Sequence, residues 1–229
     1  ITASQSGSYI SFSAPANYNG SESFTVSVTD GEYTDSQSIT VTVNAVNDAP
    51  TAIATTGTTA EDQSVVIALS GDDIDGDNLT FSLDSDATNG SVSLDGSLAT
   101  YTPDANFNGD DSFTFSVSDG EYSASASVAV SVTAVNDAPV LATVSDVSFD
   151  EDGSGSLSLS GSDVDGDDLE FSISGGTDIS ASLSGSDVSF SAPANYNGSE
   201  SFTASVTDGE YTDSQTITVT VNAVNDAPT

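Results

Sequence analysis

The tetrapeptide Asn47-Asp48-Ala49-Pro50 returns as Asn136-Asp137-Ala138-Pro139 and again as Asn225-Asp226-Ala227-Pro228, at a fixed spacing of 89 residues. A polar, proline-ended element recurring at that period divides a chain into tandem modules, each near the size at which one hydrophobic core is the common unit. The predicted boundaries are a C-terminal half-module over 1–47, complete modules over 48–136 and 137–225, and the start of a further module over 226–229. Residues 1–51 match residues 179–229 at 45 of 51 positions, an offset of two periods. Alternate modules are therefore nearly identical while neighbours differ. Such a pattern is expected of an A-B-A-B array that grew by duplicating pairs, with this chain a window onto it and its true N-terminus elsewhere.

Inside each module the apolar residues alternate with polar ones, the period of half-buried strands rather than helices. In the middle module Leu79, Phe81 and Leu83 share a face, as do Phe113, Phe115 and Val117, and Ala124 to Val132 form a long final strand. The third module repeats this with Leu169, Phe171 and Ile173, then Phe202, Ala204 and Val206, then Ile217, Val219 and Val221. Asn89-Gly90, Asn108-Gly109 and Asp119-Gly120 supply turn signals between them. About seven short strands per module predict an all-β chain: tandem immunoglobulin-like or cadherin-like Greek-key β-sandwiches in an elongated array.

Composition limits the partners. The chain has 36 acidic residues and no Lys, Arg, His or Cys, for a net charge of −36. Nucleic acid and anionic membranes need cationic side chains, so both are excluded as partners, and cations are the natural ones. Leu, Ile, Val and Phe make up 22 % of the residues, just above the roughly 20 % below which highly charged chains tend to be disordered. Without cysteine, disulfides cannot supplement so small a core, which leaves a metal as the common alternative. No apolar run is long enough to span a bilayer. An enzyme is not expected: the carboxylates sit in open Ser- and Gly-rich loops, and no His or Lys is present to activate a hydroxyl.

Several acids recur at fixed places. Asp73-Ile74-Asp75-Gly76-Asp77-Asn78 is matched by Asp163-Val164-Asp165-Gly166-Asp167-Asp168, each directly before a strand. Three Asp in five residues repel one another in a tight turn unless a cation joins them, and an Asp-x-Asp turn directs carboxylates to one side, as a hard oxygen-seeking ion requires. The glycine spacing and the absence of helical flanks exclude an EF-hand. Further recurring acids are Glu61 and Glu151 after the joints; Asp119 and Asp208, with Asp30, in Asp-Gly-Glu-aromatic turns; and Glu22, Asp111 and Glu200 after Asn-Gly. Asp-Gly and Asn-Gly are turn signals in their own right. Tyr18, Phe107 and Tyr196 read as core plugs.

These elements together resemble the cadherin-like tandem repeats of giant bacterial surface adhesins, including those grouped with VCBS repeats. Asp73-x-Asp75-Gly76-x-Asn78-Leu79-Thr80-Phe81 is similar to the cadherin Asp-x-Asp element, Val117-Ser118-Asp119-Gly120 to the cadherin Asp-x-Gly turn, and Val135-Asn136-Asp137-Ala138-Pro139 to the Asn-Asp linker. The resemblance implies calcium (Ca2+) at each joint. The joint at Asn136 and Asp137 takes Glu61 and Asp111 from the module before, with Asp163, Asp165 and Asp208 from the module after. The joint at Asn47 and Asp48 takes Glu22, Asp73, Asp75 and Asp119, and that at Asn225 and Asp226 takes Glu151 and Glu200. Ala45, Ala134 and Ala223 replace the leading linker acid of animal cadherins, which implies one or two ions per joint rather than three.

The function implied is that of a calcium-rigidified stalk or filament segment of an adhesin on the bacterial cell surface, supporting cell adhesion or biofilm formation. Its partners are calcium ions, neighbouring repeats and other copies in a filament. Two alternatives stand beside it. One is a glycan-binding array using Tyr33, Tyr122 and Tyr211; the other is a self-assembling filament subunit whose first half-module is completed by another chain.

Overall fold

The computed structural model describes residues 1–225. Every regular element among them is a strand. The chain divides into two compact units, Ile1–Ala134 and Val135–Thr229. Asp226 and the expected start of a further module at 226–229 lie outside the described residues.

The first unit begins with the half-module. Thr2–Ser6 pairs antiparallel with Tyr9–Ser13, and Gly20–Thr29 with Thr34–Val43, giving two separate two-stranded sheets. The rings of Phe12 and Phe24 meet at 5.0 Å. A complete sandwich follows. One sheet orders Thr55–Ala60, Ser123–Thr133, Gly109–Ser118 and Thr80–Ser85; the other orders Val65–Ala68, Leu98–Pro103 and Gly90–Asp95. The antiparallel register sets Phe113 opposite Val128 and Val117 opposite Ala124, so the period-two apolar rows fall on one face. Tyr101, Phe113, Phe115, Val117 and Val128 are completely buried there. Burial of such rows, at about 25 cal/mol per Å² of apolar surface, is the main force holding a module that has no disulfide.

Between Thr51 and Thr133 the sandwich has nine strand segments, more than the seven expected, because two strands change partners midway. Thr51–Ile53 pairs with Ser70–Asp72, whereas Thr55–Ala60 runs parallel to the final strand. Val65–Ala68 joins the other sheet, and the break falls at Leu69, whose buried position is held by its N–H to the Ser97 carbonyl at 2.8 Å. Gly109 and Gly120 adopt the positive φ predicted, at 128° and 102°. Gly90 opens a strand instead. Its lack of a side chain is needed for packing: a Cβ there would meet the Thr102 carbonyl at 2.6 Å and the Tyr101 ring at 2.7 Å.

The second unit repeats the sandwich. Val147–Asp150, Thr212–Asn222, Gly198–Thr207 and Glu170–Gly175 form one sheet; Ser154–Ser158, Asp187–Ser191 and Ser180–Ser184 form the other. Its core is built on Phe190 and Phe202, with ring centroids 5.2 Å apart, and on Val206, Ile217 and Val219. The all-β tandem sandwich architecture is as the sequence predicts. No helix among the described residues is long and apolar enough to cross a membrane.

Candidate metal centre

The loop after Ser70–Asp72 is shaped by Gly76, whose φ of 80° lies in the left-handed region that side chains disfavour. Its N–H bonds the Asp73 carbonyl at 3.3 Å. This turn lets the N–H groups of Asp75 and Asp77 both donate to Asp73 Oδ1, at 2.9 and 3.2 Å. Three carboxylates are thereby gathered: one oxygen from each of Asp73, Asp75 and Asp77 lies within 4.8 Å of the others. The second unit reproduces the loop with Gly166 at φ 80°, and Asp75's counterpart Asp165 donates to Asp163 Oδ1 at 2.9 Å. Asp163, Asp165 and Asp167 cluster in the same way.

The linker closes over each cluster. In the first unit the Asp48 N–H donates to Asp75 Oδ2 at 2.7 Å, and Asn47 Nδ2 donates to Asp119 Oδ2 at 2.9 Å. In the second, Asp137 N–H reaches Asp165 Oδ2 at 2.8 Å, and Asn136 Nδ2 reaches Asp208 Oδ2 at 2.9 Å. Asp119 thus divides its two oxygens. Oδ1 accepts the N–H groups of Glu121 and Tyr122, both at 2.7 Å, which holds the Asp-Gly turn, while Oδ2 is turned to the linker. The Tyr122 N–H is the largest influence on its acidity, and the pKa falls below the ordinary carboxylate value. Burial pushes Asp208 upward, yet the Asn136 amide and the N–H groups of Tyr211 and Glu210 outweigh it, and its pKa is also lowered. Both groups are ionised at neutral pH.

The residues Asn47, Asp48, Asp73, Asp75 and Asp119 therefore converge in one unit, and Asn136, Asp137, Asp163, Asp165 and Asp208 in the other. In each cluster one oxygen, Oδ2 of Asp73 or of Asp163, is buried and accepts no hydrogen bond from a described residue. A carboxylate oxygen removed from water without a partner is costly, and no cationic side chain exists in the sequence to offset it. Such a set of oxygens suits a hard divalent ion of loose coordination geometry. Calcium fits these residues, with Asp73 Oδ2 the oxygen it would satisfy.

The remaining candidates have other partners. Asp111 is 9 % exposed and accepts from the N–H groups of Thr88 and Asn89, at 3.1 and 2.9 Å, and from the Tyr101 hydroxyl at 3.1 Å. Glu200 likewise accepts the N–H groups of Thr177, Asp178 and Ile179. Glu22 accepts from the Tyr18 hydroxyl at 3.0 Å. For Asp111 and Glu200 the structure assigns the holding of a loop. Burial pushes Asp111 upward, but the N–H groups of Asn89, Thr88 and Ser112 and the Tyr101 hydroxyl leave its pKa lowered overall. Glu61 is 3 % exposed, with its N–H on the Thr133 carbonyl at 3.0 Å. Glu151 pairs its N–H with the Asn222 carbonyl, and its Oε1 accepts the Val224 N–H at 2.6 Å. Asn225 is exposed at the end of the described residues.

Sequence reading left Asp77 and Asp167 out of the ligand set, although the third acid of Asp-x-Asp-Gly-Asp carried the signal. It also left out Asn17, which holds a left-handed φ of 58° and lines a cleft with Asp48, Asp72 and Asp73. Asn17 comes from the preceding half-module, and nothing in its local sequence pairs it with Asp73.

The chain resembles solved structures in fold and matches one family profile in sequence. It aligns with PcdhgB3 EC1-4 at 12 % identity and a TM-score of 0.63, covering 94 % of this chain and 60 % of that one. Mouse Protocadherin-24 EC1-3 aligns at 13 % identity and a TM-score of 0.53, covering 89 % of this chain and 80 % of the other. These likenesses concern the fold. An endo-fucoidan hydrolase from glycoside hydrolase family 107 aligns at 21 % identity with a TM-score of 0.35, and this chain, 98 % covered, spans 37 % of its length. No curated protein matches the chain in sequence. The bacterial Ig domain profile matches twice, over residues 47–133 and 136–220. The chain belongs to the bacterial Ig domain family.

Proposed function

We propose that this chain is a segment of a calcium-stiffened extracellular stalk that carries an adhesive element away from a bacterial surface, and that the linker carboxylate clusters are its calcium sites. The observation that carries the reading is the pair of buried, unpartnered oxygens, Asp73 Oδ2 and Asp163 Oδ2, each inside a three-Asp cluster capped by a linker N–H. Tandem bacterial Ig domains with cadherin-like folds support the stalk, as does an acidic surface that repels membranes and nucleic acid. Asp73, Asp75 and Asp77 with Asn47, Asp48 and Asp119 hold the ion in the first unit; Asp163, Asp165 and Asp167 with Asn136, Asp137 and Asp208 hold it in the second. When bound, the ion supplies the positive charge that the sequence lacks. The linker residues contribute by fastening a flexible joint to the loops of the module that follows. A site with a dissociation constant of about 10⁻⁴ to 10⁻³ M fills at extracellular calcium levels. Ion at about 100 times that constant stabilises the folded state by about 2.7 kcal/mol per site.

Small-angle X-ray scattering in chelator and in millimolar calcium, with thermal unfolding of the same samples, tests this. Calcium is expected to lengthen the particle, narrow its distance distribution and raise its melting temperature. Unchanged scattering and melting sink the proposal.

A second reading has one supporting observation: Tyr33, Tyr122 and Tyr211 are exposed beside the acidic turns, as sugar-stacking rings would be. A glycan-array signal that persists after Asp73→Asn and Asp163→Asn substitution, and disappears after Tyr122→Ala and Tyr211→Ala, would support it over the stalk.

A further inference from the structure

The dipeptide Asn-Gly occurs at Asn19-Gly20, Asn89-Gly90, Asn108-Gly109 and Asn197-Gly198, and the fold holds Asn89-Gly90 differently from the rest. Each glycine is the first residue of a strand. Gly20 and Gly109 have positive φ values of 138° and 128°. A Cβ on Gly20 would meet the Tyr18 hydroxyl at 3.2 Å, and one on Gly198 the Tyr196 hydroxyl at 2.9 Å. The backbone therefore demands glycine after these asparagines, and the chemistry of Asn followed by glycine comes with it.

That chemistry is internal to the chain. The glycine nitrogen, unshielded by a side chain, attacks Cγ of the asparagine. A Cγ–N bond forms, the Cγ–Nδ2 bond breaks, and Nδ2 leaves as ammonia with the proton that the glycine nitrogen gives up. Water then opens the cyclic imide at either carbonyl, to give Asp or isoaspartate, whose main chain runs through the former side-chain carbon. The net change converts an amide and water into a carboxylate and ammonia, with no oxidant or enzyme required.

Ring closure needs a free side chain and a peptide group that can turn. Asn19, Asn108 and Asn197 are exposed, and their side-chain amides make no hydrogen bond with any described residue. Asn108 and Asn197 show this in complete sandwiches. Asn89 is held instead: its N–H donates to Asp111 Oδ2 at 2.9 Å, and its carbonyl accepts the Asp104 N–H at 2.9 Å. Gly90 packs so closely on the Thr102 carbonyl and the Tyr101 ring that its peptide group has no room to rotate. Position gives the reaction a consequence in the first unit. Asn19 lines a cleft with Asn17, Asp48 and Asp75, so a carboxylate formed there joins the oxygens of the candidate metal centre.

We propose that Asn19, Asn108 and Asn197 are sites of spontaneous deamidation that Asn89 resists, and that conversion of Asn19 adds a ligand charge beside Asp48 and Asp75, tightening that joint's hold on its ion with age. The second half rests on the calcium reading above; the first does not.

The test ages the 229-residue chain in mildly alkaline buffer with chelator, and follows it by peptide mass mapping and by labelling of isoaspartate with isoaspartyl methyltransferase. Asn19, Asn108 and Asn197 are expected to convert at least about tenfold faster than Asn89, and the difference is expected to vanish in urea, where the packing around Gly90 is lost. Equal rates in the folded chain, a difference that persists in urea, or loop conversion no faster than at Asn78, which precedes leucine, overturns the modification. For its consequence, Asn19→Asp is compared with the parent by tyrosine-sensitised terbium emission, both in the Asp163→Asn background. Apparent affinity is expected to rise at least about threefold as one more carboxylate joins the site. Unchanged affinity overturns the role given to Asn19. A parent that binds no terbium overturns the calcium reading and that role with it, while the conversion rates still decide the modification.

Discussion

Asn47 Nδ2 lies 2.9 Å from Asp119 Oδ2, joining the linker to a turn 72 residues later, and Asn136 makes the same bond to Asp208 at the same distance. The amide side chain presents a donor to the Asp and leaves its own carbonyl oxygen, a further acceptor, at the linker. Asp119 is thus tied to both the turn that carries it and the linker it receives.

Asp119→Asn is expected to weaken ion binding without unfolding the module, because the Asn carbonyl can still accept the turn N–H groups while the charge is lost. Terbium is a useful probe, since Tyr122 follows closely and can sensitise its emission. Tyrosine-sensitised terbium emission should fall at least about tenfold in apparent affinity for Asp119→Asn in the Asp163→Asn background. Unchanged emission would remove Asp119 from the site.

Asp73→Asn should separate the metal role from the structural one. In chelator it relieves repulsion among three clustered carboxylates and is expected to melt at the same or a higher temperature than the parent. In calcium it should lose most of the stabilisation that the ion gives the first unit. A large loss of stability in chelator would instead mark Asp73 as a structural residue.

The Asp111–Tyr101 pair makes stability depend on pH at both ends. The folded pKa of Asp111 is lowered, so its contribution is present above the unfolded value of about 3.9 and disappears as pH falls through the lower folded value. Tyr101 is pushed up from 10.0 to about 12, first by burial and then by its bond to Asp111. Its contribution is present below pH 10 and fades as pH rises from there toward about 12. Asp111→Asn should flatten the acid limb of the stability curve and cost at least about 1–2 kcal/mol at neutral pH, measured by urea unfolding. Tyr101→Phe should flatten the alkaline limb and remove the latest-titrating phenol from the ultraviolet titration.

Gly90→Ala tests the close packing at the start of its strand. A methyl group would meet the Thr102 carbonyl and the buried Tyr101 ring, so a cost of about 1–3 kcal/mol is expected in the middle module's unfolding. Gly76→Ala meets no neighbouring atom and is strained only through its φ; it should cost about 1 kcal/mol and weaken ion binding by loosening the loop.

Much of the fold was legible because the period-two rows and the 89-residue repeat are strong signals that tertiary context reinforces. Phe113, Phe115 and Val117 point inward as their alternation requires. The break at Leu69 was not legible, since it depends on which sheet each half of a strand joins. Asn89-Gly90 misled for a similar reason: the dipeptide is a turn signal, but here glycine answers to the Tyr101 ring. In the candidate site the Asp-x-Asp loops and the linker could be read directly. Asp111 and Glu200 recur as faithfully as Asp119 does, and recurrence alone could not separate an acid that grips a loop from one that faces a linker. That distinction lies in the N–H groups of Thr88 and Asn89 and of Thr177 to Ile179, which only the folded chain brings near.

The alternation of Asp35 and Gln37, Ala124 and Ala126, then Asp213 and Gln215 also bears on how such an array is made without error. Nearly identical halves in one polypeptide invite mispairing as the chain leaves the ribosome. Placing an unlike module between them doubles the separation of interchangeable halves, but doubling a loop adds only about 0.6 kcal/mol to closure. Distance alone is weak protection. In the second unit Asp213 and Gln215 bond the backbone of Leu141, Ala142 and Val144, and the alanines at 124 and 126 offer no such bonds, so a 137–178 segment is matched to its own module by side chains and not by distance.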